Sequence, residues 1–239
     1  MDLSMNEILE IQSEVKSFAD KIIDLSKTDK TIKELYKGVQ IHYSPIRKNP
    51  KFMFLGINPG AGYFNYHDGE CVYKFDGLDE IEYLSEDFQL AREWRYIFGS
   101  ENNMLDRMDL LESAYKTNLY YVATGKQDEL YKLLHYMKNE YGLEKECFTK
   151  PKEWLKKIVK FVNPESIICE GFTVLNELKI IFGNNLDIVN EPWGNNENFK
   201  VGYLKFDDLS ITIFACARIY SNLKNREEVA DIIRDEMSL

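Results

Sequence analysis

The feature that most constrains this chain is a set of four short apolar runs: Phe52–Leu55, Asn118–Ala123, Ser166–Cys169 and Ile211–Ala215. The runs FMFL and SIIC have no polar face. A strand of that kind is stable only where both of its faces are covered, as in the middle of a parallel sheet. Parallel neighbours need long crossover connections, usually helices, and the intervening segments carry helical spacing. Ile8, Ile11, Val15, Phe18, Ile22 and Leu25 make one apolar stripe. Residues 86–98 and 127–140 read as helices. A helix capped by Thr149, with Pro151 in its first turn, presents Trp154, Leu155, Ile158 and Val159. Val174, Leu175 and Leu178 mark another helix, and Asn225 with Glu228 predicts a capping box before a last helix from Val229 to Met237. Strands alternating with helices predict the α/β class. The expected architecture is a three-layer α/β/α sandwich around a central, mostly parallel, four-stranded sheet. No linker or repeat divides residues 1–239, so a single domain is expected, with residues 1–28 as an N-terminal helix packed on it.

Composition narrows the function classes. The four cysteines, Cys71, Cys147, Cys169 and Cys216, form no C-x-x-C pair. That spacing argues against a zinc site or disulfide framework and for a reducing compartment. His67, Asp68, Glu70 and Cys71 are ligand-type residues without regular metal spacing, so a solvated loop is the expectation and no metal or cofactor is predicted. No apolar stretch has membrane-spanning length, and the acidic, amphipathic MDLSMNEILEIQSEV is not a secretory signal. A soluble cytoplasmic protein without a membrane partner is expected. The net charge of −10 opposes nucleic-acid binding, which needs local positive charge to displace counterions.

Ligands of open α/β sheets gather at the carboxyl ends of the strands. Here those ends read GINPGAGYF, ATGKQ, CEGFT and CARIYSN, offering Asn58, Thr124, Lys126, Glu170, Thr173 and Arg218. No phosphate-loop or dinucleotide fingerprint is present.

The strand and loop FMFLGINPG resembles the first motif of the uracil-DNA glycosylase superfamily, nearest its mismatch-specific and thymine-DNA glycosylase branch. The segments VNPESIICEGFTVLNEL and NLYYVATGK resemble further parts of that layout, over roughly residues 40–235. The resemblance implies a uracil-DNA glycosylase-like fold and hydrolysis of the N-glycosidic bond of a damaged or deaminated base flipped out of DNA. It implies that Asn58 holds the attacking water. Gly56, Ile57, Pro59 and Gly60 then shape the loop around the flipped nucleotide, and one of Tyr63, Phe64 and Tyr66 stacks on the base. Thr124 and Lys126 stand where the second strand contacts the base. The family's closing His-Pro-Ser or Asn-Pro-Ser is absent. Ala217–Asn222 reads ARIYSN, with Arg218 about where the histidine lies, suited to stabilising an anionic base or gripping a phosphate. If DNA is the partner, Lys126, Arg218, Lys224 and Arg226 are expected to form a positive rim.

Other readings of the same residues stand beside these. Asn58-Pro59-Gly60 also makes a tight turn, the loop aromatics also anchor a core, and Thr124 also satisfies local backbone. A non-catalytic protein of this fold, binding a nucleobase, nucleotide or protein partner, is one alternative. A hydrolase of free modified nucleosides is the other.

Overall fold

The structure is a computed structural model that describes residues 5–60, 72–74, 77–101, 104–189, 197–219 and 222–238. In chain order the first elements are α1 (Met5–Ser26), α2 (Lys30–Leu35), β1 (Gly38–Gln40), β2 (Phe52–Gly56) and β3 (Val72–Lys74). Next come α3 (Glu82–Ser85), α4 (Gln89–Phe98), α5 (Met108–Glu112), β4 (Tyr115–Asn118), β5 (Val122–Ala123) and α6 (Gln127–Tyr141). Then follow α7 (Lys150–Val162), β6 (Ser166–Cys169), α8 (Phe172–Phe182), β7 (Leu186–Ile188), β8 (Phe199–Phe206) and β9 (Leu209–Cys216). The chain closes with β10 (Arg218–Ile219), β11 (Asn222–Leu223) and α9 (Arg226–Met237). No helix among the described residues is long and apolar enough to cross a membrane.

Two compact units are built from interleaved segments. One comprises Met1–His42, Ile57–Gly77 and Asn118–Phe161; the other comprises Tyr43–Gly56, Leu78–Thr117 and Val162–Leu239.

The second unit carries a six-stranded sheet in the order β4-β2-β6-β9-β8-β7. Its centre is parallel: Phe54 lies opposite Ile168, and Ile168 opposite Phe214. Every residue of β2 and β6 is buried, as fully apolar strands require. One face holds Phe54 edge-on to Tyr83, Trp94 and Phe98, at centroid distances of 5.1, 5.0 and 6.1 Å. Val229, Ala230, Ile232 and Ile233 of α9 close the same cluster. Helix α8 packs on β6, β7 and β9.

The first unit is organised around a three-stranded sheet, β3-β1-β5, with β1 parallel to β3 and antiparallel to β5. Helix α1 is tied to α7 by Glu14, which accepts from Trp154 Nε1 at 2.6 Å and from Lys150 at 2.9 Å. The Tyr121 and Trp154 rings stack at 5.8 Å beneath that bond. Asp29 caps α2 through Oδ1 while its Oδ2 accepts from Tyr136 and Tyr141 of α6.

Several expectations need correction. Asn118–Ala123 is not one strand. Tyr115–Asn118 forms the sheet's edge, the chain then turns away, and Val122–Ala123 pairs with β1 in the other sheet. Leu119, Tyr120 and Tyr121 are buried by packing rather than by strand pairing, and an apolar run looks the same in either case. The sheet also has six strands, not four, because β8 folds back on β9 as an antiparallel hairpin turning at Asp207 (φ 53°) and β7 pairs antiparallel with β8. Thr149 caps nothing: one wide π turn, Lys145–Thr149, runs straight into α7. Asn225 adopts a left-handed conformation, and its amide donates to the Glu228 carboxylate at 3.1 Å instead of capping backbone; α9 begins at Arg226.

Phe54→Ala should cost the second unit about 3–5 kcal/mol, the usual penalty for an emptied aromatic site, read as a shift in the urea midpoint at constant slope. In the first unit burial holds His42 down to about 4, from an ordinary value of 6.5. The unfolded chain therefore binds the extra proton first as the pH falls. His42's contribution, up to about 3 kcal/mol, is fully present above pH 6.5 and is lost on the way down to 4. His42→Gln should flatten that limb of a denaturation series run against pH.

Candidate functional site

Asn58 follows β2 by two residues, and its side chain is fixed from one end. Its Nδ2 donates to Thr124 Oγ1 and to the Pro59 carbonyl, both at 3.0 Å, and reaches the Val122 carbonyl at 3.4 Å. The amide's orientation follows from its neighbours. Thr124 spends its one hydrogen on the Lys126 carbonyl at 2.8 Å, so it meets Asn58 as an acceptor. All three oxygens around the amide therefore accept, and only an NH₂ group satisfies them. The Oδ1 atom is turned away and takes no hydrogen bond from the described residues. Backbone bonds hold the loop around it: Tyr120 N donates to Ile57 O at 2.9 Å, Thr124 N to Pro59 O at 3.4 Å, and Gly60 bridges to Thr124. A Cβ on Gly60 would meet nothing within 4 Å among the described residues.

The expected partners divide. Asn58, Ile57, Pro59, Gly60, Thr124 and Lys126 belong to the first unit, where Asn58 donates to Thr124. Gly56 and Arg218 belong to the second unit. Lys126 is exposed at the start of α6. Tyr63, Phe64 and Tyr66, and likewise His67 to Cys71, lie outside the described residues. A small apolar cavity in the first unit is lined by Phe18, Tyr121, Val122, Leu134, Cys147 and Trp154, and Asn58 is not among its walls. Of the expected positive rim, Arg226 is already engaged, 3.5 Å from Glu93 and stacked 4.3 Å above the Tyr96 ring. No group of three or more His, Cys, Asp or Glu side chains that could hold a metal ion occurs among the described residues.

A second constellation, at the carboxyl end of β6, is built on a residue the sequence did not mark. Lys116 is buried on the edge strand β4. Its ammonium lies 2.9 Å from both Glu82 and Glu170 and also donates to the Tyr83 hydroxyl. Three acceptors for its three hydrogens suit the charged form. Backbone bonds brace it: Lys116 N donates to Ser44 Oγ, and Glu170 N to Leu55 O, both at 2.9 Å. Burial pulls the Lys116 ammonium down while Glu82 holds it up. Burial pushes Glu170 up to about 8, opposed by Arg218 and reinforced by Glu82. Such interacting groups titrate as a set.

Glu170 was legible only as a strand-end carboxylate. Lys116 gave no signal, because YKTN lacks the apolar pattern that marks a buried strand. Lys116→Met should cost about 3–5 kcal/mol by stranding the buried Glu170 carboxylate and the partly buried Glu82, and less where Glu170 is already Gln. A double-mutant denaturation cycle measures the difference. Neither a protein-family model nor a curated protein matches the chain, so its chemistry rests on these side chains themselves.

Proposed function

We propose that this protein is a uracil-DNA glycosylase-like hydrolase that cleaves the N-glycosidic bond of a damaged or deaminated base flipped out of DNA. The supporting observation is the Asn58 amide, pinned through its nitrogen with its oxygen left over. An amide oxygen is too weak a base to deprotonate water, but it orients one by accepting a hydrogen bond. Departure of the base leaves an oxocarbenium-like sugar, as in other glycoside cleavage. The positioned water adds to C1′ as the C–N bond breaks, the base takes the bonding electron pair, and a proton returns to it from the added water. Thr124 acts by holding Asn58, which makes it a positioning residue.

A second reading, hydrolysis of a free modified nucleoside or nucleotide, draws support from the net charge of −10 and from Arg226, which Glu93 and Tyr96 already occupy. Both readings use the same water.

Single- and double-stranded oligonucleotides carrying uracil, hypoxanthine or mismatched thymine, alongside deoxyuridine and its monophosphate, separate the two. Asn58→Ala should lower the rate of base release by about a hundredfold or more, the scale of losing a positioned catalytic group. Substrate affinity and melting temperature should change far less. A full rate in the variant, or no release from any of these substrates by the native chain, would end the hydrolase reading.

A further inference from the structure

The buried cluster of Glu82, Tyr83, Lys116 and Glu170 plays no part in positioning water at Asn58, yet burying charge at such density is expensive. Its charge count is the informative quantity. Two carboxylates bear on one ammonium, with Lys116's hydrogens all committed. Arg218 is the fourth charge, within electrostatic reach of both Lys116 and Glu170. With Glu170 ionised the four charges cancel. With a proton on Glu170, Glu82 and Lys116 cancel each other and the guanidinium is left as net positive charge.

Arg218 is only partly buried and makes no hydrogen bond to a described residue. Its chain lies over Gly171, where φ is +116°; a Cβ there would sit 3.6 Å from Nε and 4.0 Å from Cγ. A planar fork of donors committed to no carboxylate of a described residue matches the geometry of a tetrahedral oxyanion.

We propose that Arg218 seats an oxyanion, the phosphate group of a substrate, and that Glu170 takes up a proton as the anion binds. The groups facing Glu170 are Glu82 and Tyr83 on α3, Lys116 on β4, Cys216 on β9 and Arg218 on β10. Burial keeps Cys216 protonated, so it adds no charge. Glu170 is therefore the member able to change the sum near neutral pH. As a statement about ligand class it names a phosphate-bearing molecule and does not depend on the glycosylase reading. As a statement about binding it involves no residue of the Asn58 site.

Sulfate is the probe, because it stays a dianion across the range and any proton taken up belongs to the protein. Calorimetric titration of the native chain from pH 6 to 9 should show binding that weakens about tenfold per pH unit above the cluster's transition, the slope of one linked proton. Arg218→Gln should abolish binding. Glu170→Gln, a permanent mimic of the protonated acid, should bind independently of pH. If that variant does not fold, Glu82→Gln serves instead: removing the like charge should move the transition to lower pH. Absence of sulfate binding to the native chain below pH 7, an affinity flat with pH, no loss in Arg218→Gln, or an unshifted transition in Glu82→Gln would each overturn the proposal. Asn58→Ala should bind sulfate like the native chain, so failure of hydrolysis and failure of the anion site are separately visible.

Discussion

A buried ammonium organises the second unit. Lys116 loses several kcal/mol of hydration on entering the interior, and only close, well-aligned partners recover it. Those partners come from distant parts of the sequence: Glu82 opens α3, Tyr83 follows it, and Glu170 ends β6. Meeting the ammonium's three hydrogens therefore fixes where α3 lies and where the carboxyl end of β6 lies. The surrounding aromatic packing is consistent with the same demand. The Lys116 ammonium stands 4.1 Å from the centroid of the Tyr83 ring, whose edge-on contact with Phe54 belongs to the core beside β2. Electrostatic and apolar packing are joined through one tyrosine.

Much of this fold was legible because burial on both faces leaves a plain mark. FMFL and SIIC are buried along their whole length and ITIFA nearly so, broken only by Thr212, and they are neighbouring strands of one sheet. The α1 stripe and the helix after Gly171 were readable by the same logic of period. What escaped were elements whose side chains do not advertise their environment. Strand β4 carries Lys116, Thr117 and Asn118, all buried, so its composition reads as loop. Leu119 to Tyr121 made the opposite error, since their apolarity serves packing without strand pairing. β8 alternates polar and apolar residues as an antiparallel strand does, but the Asp207-Asp208 turn lacks the glycine that usually betrays a hairpin.

The candidate sites were legible to different depths for a related reason. Asn58 stood out through the motif FMFLGINPG and its resemblance, since Asn-Pro-Gly alone reads equally as a tight turn. The direction of that amide was not readable. It depends on Thr124 giving its hydrogen to the Lys126 carbonyl, a bond set by the turn into α6. Lys116 was unreadable in principle from local pattern, because what makes it unusual is the company it keeps across 34 and 54 positions of chain to Glu82 and Glu170.

The two constellations differ in kind, and the difference bears on what each can do. Around Asn58 every fixed group is neutral, so the site aligns a polar molecule without holding charge; that suits a water whose attack is driven by the substrate's own cation. Around Lys116 the charges are many and balanced, so a single proton takes the sum from zero to positive. A neutral aligning site needs rigidity, which Asn58 obtains from three acceptors for two hydrogens. A charged, balanced site needs burial, because water would screen the imbalance away. Lys116 and Glu170, each with a side chain 4% exposed, meet that condition. Glu82, at 17%, is the member through which solvent ions can moderate it. The degree of exclusion of water, more than the identity of any one residue, therefore decides that proton traffic belongs to the Lys116 cluster and alignment to Asn58.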